Sequence, residues 1–127
     1  MNDTKTILVA VSDIFFYTKI RDAFLPSGYK LERLRNNEDW QEKALQSQPI
    51  GMIVNMNDDR LNTADILKAL KASPQTQSLP ILAFANHEEV GTWKLAKDLG
   101  IQKVVSRNEF SARTLALFEE LTSSTTS

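Results

Sequence analysis

The side chains that could do chemistry in this sequence gather at four places, each at the end of a short apolar run. Val11, Ser12 and Asp13 end or follow Ile7 to Val11. Asn55, Asn57, Asp58 and Asp59 fall at the end of Met52 to Met56. Ala85, Asn86 and His87 follow Ile81 to Phe84, and Ser106 and Arg107 follow Val104 and Val105. Carboxylates in such positions are the material for cation or phosphoryl chemistry. Arg107 could hold an anion or a partner's carboxylate in its bidentate fork. His87 is the only histidine and cysteine is absent, so no His/Cys metal set and no thiolate nucleophile can be built. We expect no metal and no cofactor, and a helix-start or surface place for His87. The first run leads into SDIFFYTK with no glycine-rich phosphate loop, and neither a nucleophile elbow nor a paired acid and base is present.

The elements that must position these residues follow from hydrophobic period. Ile7 to Val11 is too short for a helix and suits a buried strand. Ile14 to Leu25 turns helical, with Phe16, Ile20, Ala23 and Phe24 on one face, and Pro26, Ser27 and Gly28 end it. Tyr29 to Leu34 is more polar and reads as an edge strand. Asn37 or a neighbour can cap a helix over Glu38 to Gln46, with Trp40 and Ala44 inward. Met52 to Met56 is a third strand, followed by a polar loop, Asn57 to Leu61, and by a helix to Ala72 with Ile66, Leu67 and Leu70 inward. Ile81 to Phe84 is a fourth strand. A helix over Glu88 to Leu99 closes at Gly100. Val104 and Val105 mark a fifth strand. Ser111 can cap a last helix carrying Thr114, Leu117, Phe118 and Leu121 inward, and 122–127 reads as a disordered Ser/Thr tail.

Five apolar strands alternating with five helices call for cover on both faces of a parallel sheet, which is a doubly wound α/β fold. Its crevice lies at the carboxyl ends of the strands, where the polar residues above collect. The 127 residues fit one domain, 1–121, and bury roughly two-thirds of the unfolded surface without staples. Hydrophobic content of 42% and charged content of 24% are ordinary for a globular chain. A net charge of −1 offers no field for nucleic acid or membranes. No apolar run nears the roughly 18 residues of a membrane span, and the polar start shows no signal peptide, so a cytoplasmic protein is expected.

The strings ILVAVSDIFFYTKIRDAF, PIGMIVNMNDDRLNTADILKALKASPQTQSLPILAFA and DLGIQKVVSRNEF, in that order, resemble the receiver domain of bacterial response regulators. The resemblance runs from Ile7 to about Leu121 and implies the CheY-like strand order 2-1-3-4-5. It also implies a site. Receivers use a carboxylate ending the third strand as phosphoryl acceptor, with Mg²⁺ held there and by an acidic pair after the first strand. Here the acceptor position falls on Asn55, and the acidic pair on Val11 and Ser12 with Asp13 just beyond. The hydroxyl position falls on Ala85, the lysine on Arg107, the proline after it on Asn108, and the aromatic switch on Val104. An amide is no useful phosphoryl acceptor and carries no charge for Mg²⁺. The resemblance therefore implies a degenerate pseudo-receiver, not an enzyme, acting as a phosphorylation-independent protein-interaction module in two-component-type signalling.

Other readings stand beside it. Asp13 and Arg107 are expected to close the crevice with a salt bridge; alternatively Arg107 reads an anion, making the crevice around Asn55 a small-molecule sensor. Asp58 and Asp59 are expected as turn residues, with phosphorylation at one of them as the alternative. Asn55, Asn57 and Asn86 are expected to bond loop backbone. An unrelated enzyme on the same scaffold lacks its sequence marks.

On the fourth helix Thr92, Leu95, Ala96 and Leu99 share a face, while Val90 and Trp93 fall away from it, beside Lys94 and Lys97. Trp93 is either an interface anchor or folds back over the sheet edge. Phe15 falls off the inner face of the first helix, beside the crevice mouth. By resemblance, the surface of the fourth helix, fifth strand and fifth helix is expected to take a protein partner or a second copy, with no effector domain expected.

Overall fold

Contiguous apolar runs decide the centre of the molecule. The computed structural model describes residues 5–34, 40–58, 60–86 and 88–124. Three strands form the middle of the sheet: β1 (Lys5–Ala10), β3 (Gly51–Asn55) and β4 (Ile81–Ala85). Apart from Lys5 they are buried along their whole length. A strand covered on both faces has no reason to alternate, which is why these read as unbroken apolar runs. β2 (Tyr29–Arg33) and β5 (Lys103–Ser106) are the edges and are only half-buried. All pairs are parallel, in the order β2-β1-β3-β4-β5. The register sets Val9 beside Arg33, Ala10 beside Val54, Asn55 beside Phe84 and Ala85 beside Ser106, so the strand ends finish close together.

Helices cover both faces. α2 (Trp40–Gln46), α3 (Thr63–Ala72) and α4 (Val90–Asp98) close over Leu8, Met52, Val54 and Ile81, with Trp40, Ala44, Ile66, Leu67 and Leu70 turned inward as expected. α1 (Ile14–Phe24), α5 (Arg107–Ala112) and α6 (Thr114–Ser124) close the other face, over Ile7, Val9, Ile53 and Leu82. Aromatic rings fill that side: Phe84 stacks on Phe110 at 4.4 Å and on Phe16 at 5.1 Å, and Phe24 meets Phe118 edge-on at 5.5 Å. Each ring fully withdrawn from water contributes about 1.5–3 kcal/mol. Gly51 is what lets α6 close so tightly, since a Cβ there would stand 2.6 Å from Phe118 Cζ.

Helix ends follow local chemistry. α4 finishes as anticipated at Gly100, which takes φ 73°. Its N–H bonds the Lys97 carbonyl and that of Ile101 bonds Ala96, a Schellman ending that puts glycine where a side chain would be strained. The expected single last helix is instead two. Ser106 caps α5, its Oγ accepting from Glu109 N at 3.1 Å, so Ser111 lies inside a helix and caps nothing. The chain breaks at Arg113 (φ −135°) before α6 begins. α6 runs on past Leu121 to Ser124, and Thr122 Oγ1 donates back to the Phe118 carbonyl at 3.2 Å. The cap proposed at Asn37 lies outside the described residues, as do Asp59, His87 and 125–127.

Candidate functional site

The strand ends open into one crevice of about 610 Å³, lined by Ser12, Asp13, Ile14, Phe15, Arg33, Asn55, Asn57, Asp58, Arg60, Asn86 and Arg107. The structure thus brings together most of the polar residues singled out in the sequence. Val11 and Ala85 lie beneath it, fully buried. Ser106 faces a smaller neighbouring hollow with Asn86, Glu88, Glu89, Arg107 and Asn108.

Asn55 ends β3 and is 6% exposed. Its Oδ1 accepts from Asn57 N at 3.0 Å, while its Nδ2 donates to no atom among the described residues. Asn57 ties two loops: its Oδ1 accepts from Asn86 N at 2.8 Å and its Nδ2 donates to Thr92 Oγ1 at 3.2 Å. Backbone bonding by Asn55 and Asn57 matches expectation, whereas Asn86 uses its side-chain oxygen on Arg107.

The Asp13–Arg107 salt bridge does not form. The Asp13 carboxylate turns to the start of α1 and accepts from Phe15 N at 2.8 Å and Phe16 N at 3.3 Å, an N-cap that competes with any ion pair. Arg107 instead donates to Asn86 Oδ1 at 3.2 Å and lays its guanidinium over the Phe16 ring, 4.6 Å from the centroid.

Asp58 is more than a turn residue. Ser12 donates to it twice, from its amide to Oδ2 and from its hydroxyl to Oδ1, each at 2.7 Å. Oδ1 also takes Arg60 N at 2.9 Å and Leu61 N at 2.8 Å, closing an Asx turn. Burial works to raise the Asp58 carboxyl. The N–H groups of Ser12, Leu61 and Arg60 and the Ser12 hydroxyl outweigh it and hold the group below the ordinary aspartate range.

Arg33 is a site residue that sequence reading missed, because a charged residue on an edge strand looks solvated. It is half-buried. Its Nη2 donates to the Ser12 carbonyl at 2.9 Å and its Nε to that of Val11 at 3.4 Å, with the guanidinium 4.7 Å over Tyr17. Its place as last residue of β2, beside β1, was the available signal.

Among the described residues the donor set does not fit Mg²⁺. Both described carboxylates in the crevice, Asp13 and Asp58, are turned to N–H and O–H donors, and Asn55 presents an N–H₂. Among the described residues no group of three or more His, Cys, Asp or Glu could hold a metal.

The surface residues of α4 fall into two kinds. Val90 is 76% exposed, and Lys94 and Lys97 are exposed as well. Trp93 folds back: it is half-buried against the core and its Nε1 donates to the Asn86 carbonyl at 2.9 Å. Phe15 is 83% exposed at the crevice mouth, with Ile14 at 54%.

Five parallel strands in this order, with helices on both faces, are shared with solved structures. A signal receiver domain of a signal transduction histidine kinase from Syntrophus aciditrophicus superposes with a TM-score of 0.83 at 13% identity, over 97% of this chain and 93% of that one. This is the receiver fold. The receiver domain of a response regulator from Bermanella marisrubri gives 0.80 at 18% identity, over 94% and 98%. The chemotaxis response regulator CheY4 of Vibrio cholerae gives 0.73 at 17% identity, over 89% and 97%. No family model and no curated protein sequence matches the chain. No helix among the described residues is long and apolar enough to cross a membrane.

Proposed function

We propose that this receiver-fold chain is a pseudo-receiver: a cytoplasmic, non-catalytic protein-interaction module in two-component-type signalling that works without phosphorylation. Asn55 carries the reading. It stands, buried, at the strand end where the receivers it resembles place their phosphoacceptor, and its amide is already bonded to the loop that follows. The rearranged surroundings support it. The hydroxyl of Ser12 and the carboxylate of Asp58 satisfy each other, and Ala85 offers no hydroxyl to read a phosphoryl group.

Phosphorylation at Asp58 is disfavoured on the same grounds. A carboxylate accepting four hydrogen bonds, with its pKa lowered, has little electron density left for attack on phosphorus. Among the described residues no group of acidic or imidazole side chains could hold a cation to neutralise the incoming group.

Output then rests on a surface, and the exposed Val90, Lys94 and Lys97 of α4 form the face offered to a protein partner or a second copy. Trp93 supports that face from beneath. Amide spectra recorded with Mg²⁺ and beryllofluoride together test the reading. No saturable change at Asn55 requiring both reagents is expected, and such a change would overturn it.

A further inference from the structure

Two of the arginines lining the crevice, Arg33 and Arg107, make no ion pair among the described residues. Both are half-buried, and each is braced against an aromatic ring of α1, Tyr17 for one and Phe16 for the other. Half-burying a guanidinium costs solvation, and proteins ordinarily place a carboxylate beside it. Here the nearby carboxylates are engaged elsewhere, Asp13 on α1 and Asp58 on Ser12 and its own turn. Stacking on rings also fixes the two forks in place, so little side-chain freedom remains to be lost when a ligand arrives.

A third donor lies in the same crevice. Asn55 is more than nine-tenths buried, its Oδ1 is occupied by Asn57 N, and its Nδ2 has no partner among the described residues. A buried donor left unpaired is costly, and an acceptor bound there would recover that cost.

Charge chooses among anions. Among the described residues that line the crevice, three arginines and two aspartates leave a formal charge of +1. One monoanion balances that charge, whereas a phosphate dianion would leave an excess facing Asp13 and Asp58. At the mouth, Ile14 and Phe15 stand 54% and 83% exposed, an apolar rim directly beside polar donors.

We infer that the crevice is a metal-independent binding site for a carboxylate that carries an apolar arm. The carboxylate lies between Arg33, Arg107 and the Asn55 amide, and the arm lies on Ile14 and Phe15. This inference stands apart from the interaction reading, because it requires reversible binding only, with neither Mg²⁺ nor phosphoryl transfer.

Benzoate is the direct probe, titrated into labelled protein in the presence of EDTA while the side-chain signals of Arg33, Arg107 and Asn55 are followed. For so small a ligand a dissociation constant on the order of millimolar is expected. Saturable shifts at all three groups are expected, with acetate and inorganic phosphate each weaker. Arg107→Gln should weaken benzoate by about tenfold or more, the loss of one charge-assisted contact. Phe15→Ser should bring benzoate down towards acetate and leave acetate unchanged. Arg33 also holds the carbonyls of Val11 and Ser12, so Arg33→Gln is read only if its amide spectrum keeps the native pattern; Arg107→Gln and Phe15→Ser decide the matter otherwise. A short peptide pairing an aspartate with a phenylalanine, run beside benzoate, shows whether a polypeptide or a free acid is the better source. Absence of saturation with both benzoate and the peptide, or equal binding by wild type and Arg107→Gln, would overturn the inference.

Discussion

Ser12 holds Asp58 from both ends: its amide donates to Oδ2 and its hydroxyl to Oδ1, each at 2.7 Å. The pair ties the loop after β1 to the loop after β3 across 46 positions of sequence. Ser12→Ala should therefore cost about 0.5–1.5 kcal/mol in urea unfolding, the usual net value of one hydrogen bond. Asp58→Ala should cost more, because it leaves three loop N–H groups without their acceptor; solvent access to the site keeps the loss near ~2 kcal/mol. Equal stability of Asp58→Ala and wild type would show that the loops are held by something else.

The same carboxylate gives a pH signature. Its folded-state pKa lies below the ordinary 3.8, so the unfolded chain takes up the proton first as pH falls. The stabilisation is complete above that ordinary value and is lost as pH drops through the lower, folded one. Stability of wild type minus that of Asp58→Asn should be constant from pH 5 to 7, on the order of two pH units, and shrink in acid. A difference that grows in acid would contradict the assignment.

Asp13 separates a helix cap from an ion pair. As a cap, Asp13→Asn should be close to neutral, since asparagine caps as well as aspartate, and Asp13→Ala should cost about 0.5–2 kcal/mol. Were the carboxylate paired with Arg107, both changes would cost alike. Chemical unfolding of the two variants decides between them.

Gly51 and Gly91 are a matched pair of glycines with opposite expectations. Gly51→Ala drives a methyl against the fully buried Phe118 ring and should destabilise by about 1–3 kcal/mol. Gly91, inside α4 with nothing within 4 Å of its would-be Cβ, should gain about 0.4–1 kcal/mol on change to Ala. Thermal melts of both report the sign directly.

The scaffold was legible because its signals are local. Runs such as Ile7 to Val11 and Ile81 to Phe84 have no alternation to hide them, and Gly100 announces the end of α4. The break between α5 and α6 was not, because Ser106 serves as both the last residue of β5 and the cap of the next helix. The site was legible in membership and not in pairing. Asp13, Asn55 and Arg107 do share a crevice, yet which carboxylate meets which donor depends on loops far apart in sequence. Asp13 finds its donors two and three residues away, while Asp58 finds Ser12 across the sheet. Arg33 gave only its place at the end of β2, since its burial comes from Tyr17 and the Ser12 carbonyl.

The central claim is that the crevice no longer takes a phosphoryl group. Incubating the protein with Mg²⁺ and acetyl phosphate, then measuring its intact mass beside an active receiver as control, tests it most directly. The account predicts an unchanged mass while the control gains one phosphoryl group. A Mg²⁺-dependent gain of one phosphoryl group that disappears in Asp58→Asn would contradict it.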